Sequence, residues 1–410
     1  MIDYNSTKSF QANMLEVLDT GLEKPSPVYL GYDIQCKFAA ELADVTALTP
    51  IDRCFVITDA LVCDLFGQSF LAELQKHVSG AEIVVVPSGE AAKSWEHLRQ
   101  LCERLLAKKA SKRSLVIALG GGAIGNLAGM AAALMFRGIR FVEVPTTMSH
   151  MTDGTLSNKQ AVNGAGGKNH FGTYHAPIFI WSDTRYLETE PSFVRKAGIV
   201  EGIKNALIDQ PGLIPYLEKH VNPNCDYTPA ALTDLCRKII VSKLEILKKD
   251  PTEKHFGIVL EYGHTFAHAI EWLAHGKILH GAAVSIGMKI AAQLSMRLGY
   301  IDQHDVDLHY RLLDDILGLT PPLPDDIDTS SIIETMGVDN KKMGAEARFV
   351  LLNKIGSCCE GDSGDYLVKV DRKVVYQTLD GFIERYRNNP RGSRFSNSIS
   401  VSALESPTRA

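Results

Sequence analysis

The 22 residues from Leu115 to Phe136, LVIALGGGAIGNLAGMAAALMF, carry no charge. A run of that length has two physical solutions. It can cross a bilayer as one helix, and Gly125 and Gly129 have the GxxxG spacing of packed membrane helices. Or it can fold as a buried strand, a tight turn and a buried helix. Three consecutive glycines, Gly120 to Gly122, and then Asn126 interrupt the run, and no second span accompanies it. Glycine inside a helix is unfavourable, and a row of glycines punctuates a chain. The strand–turn–helix solution follows, and it needs neighbours that cover both elements.

The flanking sequence provides them. PVYLGYD from residue 27, RCFVITDA from 53, EIVVVPSGE from 82, SLVIALG from 114 and FVEVPTT from 141 suit short buried strands. Between them, Leu61 to His77 and Ala92 to Lys109 have helical spacing, the second with Leu98, Leu101, Leu105 and Leu106 on one side. Such alternation implies a parallel sheet with crossover helices. After about residue 185 long helical patterns take over, at 192–209, 229–249, 264–274 and 281–298. Two strand-like runs, ARFVLLNKIG and DYLVKV, and a helix from about Arg372 to Arg387 follow. The expected organisation is an α/β N-terminal domain over 1–185 and a mainly α-helical C-terminal domain over 186–389. The tail, 390–410, is rich in Ser, Arg and Pro, and disorder is expected there.

Apolar residues make up 45% and charged residues 22%, ordinary globular values. Lys plus Arg is 43 against 48 for Asp plus Glu, a net charge of −5. A weakly acidic chain lacks the basic footprint of a nucleic-acid binder and the polybasic clusters that attract membranes. MIDYNSTKSF has no basic region followed by an apolar core, so no secretory signal is expected. Eight cysteines without a CxxC pair suggest reduced thiols in a cytoplasmic protein.

Four motifs carry chemistry. LGGGAIGN, 119–126, lets the backbone approach a phosphate at a helix N-terminus; tight helix–strand packing is the alternative. Asp59, ending a strand, suits either a ribose hydroxyl or a helix cap. In EYGHTFAHAIE, a helix puts His264, His268 and Glu271 on one face, with Glu261 one helical turn before His264. Two histidines four apart can share a metal, or one can ligate while the other moves protons. His280 precedes a further helix, and VEGIK sets Glu201 and Lys204 one turn apart. A carboxylate with two histidines suits Zn²⁺ with open positions. Residues 153 to 175 form a polar stretch in which Lys159 and Lys168 can hold an anion and Asn163 and Asn169 hydroxyls. A solvated loop is the bland reading, but ordered loops of that length are usually functional.

Taken in order, GGGAIGN, PTT at 145–147, Lys159, GKN at 167–169, EGIK at 201–204, GHTFAHAIE at 263–271 and HG at 280 resemble the sugar phosphate cyclases, the dehydroquinate synthase-like enzymes. The resemblance covers roughly residues 50 to 385. It implies a dehydroquinate synthase-like fold, NAD, one divalent metal (Zn²⁺ or Co²⁺), a small-molecule sugar phosphate and a homodimer. It implies Glu201, His264 and His280 as metal ligands. Asp59, Glu90, Lys93, Gly121, Gly122, Thr146 and Thr147 correspond to NAD contacts, with Asp153, Lys159 and Lys168 close by. Asp153, Lys159, Asn163, Lys168, Asn169, Lys204 and His268 correspond to substrate-site groups, and Lys159, Lys204, Glu261 and His268 are the catalytic candidates. Where dehydroquinate synthases carry an Arg that holds the substrate carboxylate, and an Asn four residues on, this chain has Gly257 and Glu261. That departure implies a substrate without a carboxylate, and the whole combination is most similar to the cyclases that close D-glucose 6-phosphate. A heptulose phosphate cyclase, a net dehydrogenase of the iron-dependent type and an NAD-binding regulator are the competing readings.

Overall fold

The computed structural model describes residues 12–18, 26–47, 50–165, 167–337, 347–362 and 364–388. The expected disordered tail lies outside them. Apolar alternation builds the first half. The elements are β1 (Glu16–Leu18), β2 (Val28–Gly31), α1 (Gln35–Thr46), β3 (Cys54–Asp59), β4 (Ala81–Val86), α2 (Trp95–Ala107), β5 (Leu115–Gly120), α3 (Gly122–Leu134), β6 (Arg140–Pro145), α4 (Met148–Thr152), β7 (Lys159–Gly164), β8 (Gly167–Tyr174) and β9 (Ile180–Asp183). Seven of the strands form one sheet in the order β1-β2-β9-β6-β5-β3-β4. All of its pairings are parallel except β1 with β2.

Strand residues face opposite sides in turn. Phe55, Ile57, Val116 and Ala118 pack with Leu98 and Leu101 of α2 and Leu127 and Ala128 of α3. Val56, Leu115, Ile117 and Val144 pack with Phe38 of α1 and Trp181 of β9. The strands are therefore covered on both faces, as parallel sheets require. β3 and β5 are neighbours although the chain visits β4 between them. The order of visiting reverses there, and Asp59 and the glycine turn lie together at the C-terminal edge. Ligands favour such a crevice.

The uncharged run resolves as β5 and α3, and among the described residues no helix is long and apolar enough to cross a membrane. Its GxxxG spacing has a local cause. A Cβ at Gly125 would lie 2.3 Å from His150 Nε2, and one at Gly129 would lie 2.3 Å from Gln160 Oε1.

Two sequence expectations need correction. The polar stretch 153–175 is largely a hairpin, β7 with β8, rather than a loop. Its Gly, Asn and Lys content hides the buried run Gln160 to Val162. The helix expected from Leu61 to His77 is present as one continuous run from Ala60 to Gln75, widened by a π turn over Cys63–Gly67. β9, at the centre of the sheet, has no counterpart in the strands expected from the sequence.

The second half is helical: α5 (Ser192–Ile208), α6 (Pro229–Lys249), α7 (His264–Leu273), α8 (His280–Arg297) and α9 (Arg372–Asn388), with shorter helices between. Thr228 caps α6 by accepting from the Ala231 N–H, and Pro229 occupies its first position, where no donor is lost. The late strand-like runs form only two-stranded pairs, such as Arg348–Phe349 with Val368–Lys369.

Glu190 joins the two halves. It is buried, and the N–H of Met148 at the start of α4 donates to its Oε1 at 3.1 Å and Oε2 at 3.2 Å. Burial raises its pKa to about 7, with that N–H and Arg195 working against the rise. The raised value favours the protonated acid in the folded state. Its stability contribution is full below about pH 4.5 and is lost as pH climbs through 7. Unfolding in urea at pH 5 and pH 8 should show that loss as about 1–3 kcal/mol. Glu190→Gln should flatten the difference; an unchanged slope contradicts it.

Candidate active site

Two glycines let the starts of α7 and α8 pack closely, the first against α8 and the second against α5. Gly263 takes a left-handed φ of 77°, and a Cβ there would lie 2.6 Å from Met288 N. His264 therefore begins α7 directly against α8. This also corrects the expected place of Glu261, which ends a separate 3₁₀ turn, Phe256–Glu261, rather than preceding His264 on one helix. A Cβ at Gly281 would lie 1.9 Å from the Ala197 carbonyl oxygen. Only glycine lets α8 approach α5 that closely, and His280 is its first residue.

On α5, residues 197 to 208 are all buried. Glu201 Oε2 accepts from Lys204 Nζ, while its Oε1 is buried without a hydrogen-bond partner. Two imidazoles face that oxygen. His264 Nε2 is 4.0 Å from it and His280 Nε2 is 3.8 Å from it. Each ring is oriented from behind. His264 Nδ1–H donates to the Tyr262 carbonyl at 3.2 Å, and His280 Nδ1–H donates to Glu271 Oε2 at 3.1 Å. In the neutral rings those bonds set the tautomers and turn both Nε2 lone pairs toward Glu201; burial works to lower the His280 pKa, but its bond to Glu271 and the Glu271 and Glu201 charges raise it. Burial, followed by the charge of Lys204, pushes the His264 pKa well below its ordinary value and keeps the ring neutral. The ligand atoms lie within 4.8 Å of one another. A carboxylate oxygen and two imidazole Nε2 atoms facing one point fit a divalent cation, and the oriented rings are the usual support of such a site.

A chain of charges runs outward from this group. Glu271 accepts from Lys168 Nζ at 2.6 Å. Burial would raise the Glu271 pKa, but the bond from His280, followed by His280 and Lys168 charge, holds it at about 2. Lys168 also lies 3.9 Å from Glu90. Glu90 accepts from Asn163 Nδ2 at 2.9 Å, and Lys93 Nζ donates to Asn169 Oδ1 at 2.6 Å. Glu90, Lys93, Asn163, Lys168 and Asn169 thus form one knot between β4, α2 and the hairpin. Lys159 Nζ donates to Glu253 Oε2 at 2.5 Å. His268 packs edge-on to His264, with ring centroids 5.4 Å apart, and lies 6.0 Å from His280.

Around the glycine turn, Gly121 precedes α3, and a Cβ there would lie 3.1 Å from Thr147 Cγ2. Thr146 N–H donates to the Gly120 carbonyl at 3.0 Å. Asp59 does cap, accepting from the Val62 N–H at 3.0 Å. It belongs to the strand-end crevice and not to the metal-ligand group.

Sequence reasoning missed two side chains. Lys243 on α6 is buried and donates to Asp153 Oδ1 at 2.6 Å and to the Asp153 carbonyl at 2.9 Å. Burial alone would raise the Asp153 pKa; Lys243 and then Lys204 lower it. The available signal was a lysine inside an apolar helical face, between Ile239, Ile240 and Leu244. Glu253 is the other, and it decides the shape beside Gly257. A Cβ at Gly257 would lie 3.0 Å from Glu253 Cγ and 3.2 Å from the Asp250 carbonyl.

Sequence comparison agrees with this geometry. Residues 83–196 match the family model for the 3-dehydroquinate synthase N-terminal region, and residues 198–342 match that for its C-terminal region. The chain belongs to the dehydroquinate synthase-like family. Within that family it is 40% identical over 287 residues to a 2-deoxy-scyllo-inosose synthase of Streptoalloteichus tenebrarius, covering 70% of this chain and 74% of that one. It is 35% identical over 380 residues to the 2-deoxy-scyllo-inosose synthase of Streptomyces kanamyceticus, covering 92% and 95%. A crystal structure of 2-deoxy-scyllo-inosose synthase complexed with carbaglucose-6-phosphate, NAD⁺ and Co²⁺ is 31% identical with a TM-score of 0.83, covering 90% of this chain and 100% of that one.

For this dehydroquinate synthase-like chain, Glu201→Gln, His264→Ala and His280→Ala should each abolish stoichiometric Zn²⁺ or Co²⁺ binding while circular dichroism stays native. Glu271→Gln should keep the stoichiometry and weaken affinity about 10–100-fold, the usual effect of losing a ligand's support. Competition titration and elemental analysis check both; full metal content in all three ligand variants contradicts the set.

Proposed function

We propose that the chain is a 2-deoxy-scyllo-inosose synthase, converting D-glucose 6-phosphate to 2-deoxy-scyllo-inosose with release of phosphate. The observation that carries the choice of substrate is the wall around Gly257. Dehydroquinate synthases hold a substrate carboxylate there with an arginine. Here Glu253 fills the adjoining space, and Glu261 ends the same turn. An incoming carboxylate would meet two acids in place of a guanidinium, and an unpaired buried charge costs several kcal/mol. Glucose 6-phosphate brings no carboxylate. Its phosphate suits a site in which Lys159 and Lys168 already hold carboxylates and can exchange them.

In this reading Glu201, His264 and His280 hold a divalent metal. Asp59, Glu90, Lys93, Gly121, Gly122, Thr146 and Thr147 hold NAD, assisted by Asp153, Lys159 and Lys168. When bound, the metal supplies a Lewis acid that lowers a sugar hydroxyl's pKa, and NAD supplies a hydride acceptor that is regenerated within the cycle. Lys204 neutralises the second oxygen of Glu201, so that carboxylate carries less charge into the site. Asp153, Asn163 and Asn169 orient hydroxyls, and Lys159, Lys168 and Lys204 stabilise the departing phosphate. His268 and Glu261 serve the proton steps, with Lys159 and Lys204 beside them. The walls keep the opened chain's ends together, so aldol closure is intramolecular and gains from proximity. The chain works as a cytoplasmic homodimer in this proposal; the eight cysteines stand as free thiols.

Supplied with NAD⁺, Co²⁺ and a panel of sugar phosphates, the protein should release phosphate from glucose 6-phosphate. Mass spectrometry should find 2-deoxy-scyllo-inosose without net NADH. The acidic heptulosonate of dehydroquinate synthesis should be a poor substrate. Glu261→Gln should lower kcat by about 100-fold or more with KM little changed, as general-base losses do. Faster conversion of the heptulosonate, or intact turnover in Glu261→Gln, contradicts the proposal.

A further inference from the structure

Beneath the glycine turn lies a buried polar group that the reaction does not employ. His150 on α4 is 4% exposed, Glu143 on β6 1% and Gln160 on β7 3%. His150 Nε2 is 3.1 Å from Glu143 Oε2 without the alignment of a hydrogen bond, that oxygen and His150 Nδ1 are buried without a hydrogen-bond partner, and Gln160 Nε2 donates to Glu143 Oε1 at 3.0 Å. Two glycines give the imidazole its room. A Cβ at Gly125 would lie 2.3 Å from Nε2 and one at Gly154 2.7 Å from Nδ1. The ring is thus wedged between the first turn of α3 and the segment carrying Asp153. Burying a histidine–carboxylate pair is costly, and nearby glycines forgo helix propensity to admit it. An Ala–Leu interior would be the cheaper way to fill this volume.

The other tie of α3 points the same way. Asn126 Nδ2 donates to the Gly122 carbonyl at 2.9 Å, and its Oδ1 accepts from the Ala161 N–H at 2.8 Å. Gln160 and Ala161 directly follow Lys159. The turn, the Asp153 segment and the hairpin are therefore clamped through side chains, with His150 at the centre.

We propose that His150 is a positioning residue, a buried wedge beside Glu143 that fixes the glycine turn of α3 relative to Asp153 and Lys159. The inference rests on the reading of that turn as the dinucleotide site. It places no contact between His150 and the cofactor. Its effect is on the spacing between the bound dinucleotide and the sugar.

Calorimetric NAD⁺ titration and steady-state kinetics on the metal-loaded enzyme test it. His150→Ala should weaken NAD⁺ binding about tenfold and lower kcat at saturating NAD⁺ about tenfold, with the KM for glucose 6-phosphate within threefold. His150→Gln, which can place an amide N–H toward Glu143, should stay within threefold of wild type on every parameter. Gly125→Ala should be as harmful as His150→Ala in the wild-type background and add less than twofold to His150→Ala, because the ring it collides with is gone. A merely structural role would lower Tm and leave the NAD⁺ Kd and kcat of the folded protein at wild-type values, and that outcome overturns the inference. So does full additivity of the two substitutions. Wild-type protein that binds no NAD⁺ overturns the cofactor reading and the inference together; wild type that binds, with His150→Ala binding equally well, overturns the inference alone.

Discussion

One buried carboxylate oxygen organises this molecule. Glu201 Oε1 has no hydrogen-bond partner, and two imidazole Nε2 atoms face it at 4.0 and 3.8 Å. Protein interiors seldom leave a buried acceptor unmatched, because the desolvation penalty is then uncompensated. Here the arrangement is maintained by strong local devices. Lys204 takes the other oxygen, Gly263 lets the start of α7 press against α8, Gly281 lets the start of α8 press against α5, and Tyr262 and Glu271 hold the imidazoles by their far sides. The frustration is local and purposeful; a divalent cation would resolve it.

From that point the charge pattern propagates by alternation. Glu271 answers His280 and Lys168, Glu90 stands between Lys168 and Lys93, Glu253 answers Lys159, and Asp153 answers Lys243. Each lysine has an internal carboxylate, so the cleft is preorganised without a large net field. Preorganised dipoles and charges of this kind act strongly where water is excluded. The cleft also joins the two architectures. The sheet contributes Asp59, the glycine turn and Thr146 at its C-terminal edge, and the helical half contributes Glu201, His264 and His280, with the β7–β8 hairpin bridging them.

The long periodic elements were legible in the sequence. The buried strands around Phe55, Val84 and Val116 are continuous apolar runs, and α5, α6, α7 and α8 lie where helical spacing predicts them. The ligand candidates Glu201, His264 and His280 also came from local motifs, and the fold brings them together. What stayed hidden depends on tertiary contact. β9 is four residues of which only two are aliphatic or aromatic, and its strand character comes from pairing with β2 and β6. Lys243 carries no motif, and its place against Asp153 arises from α6 packing on the α4 segment. The glycines at 125 and 129 looked like a membrane dimer motif, because a sequence does not show which side chain fills the notch they leave.

The most direct test of the central claim is X-ray absorption on the Co²⁺-loaded protein. The account predicts one cobalt per chain, coordinated by two imidazole nitrogens and one carboxylate oxygen, with the remaining positions open to light oxygen ligands. A shell containing thiolate sulfur, or one without imidazole scattering, would contradict it.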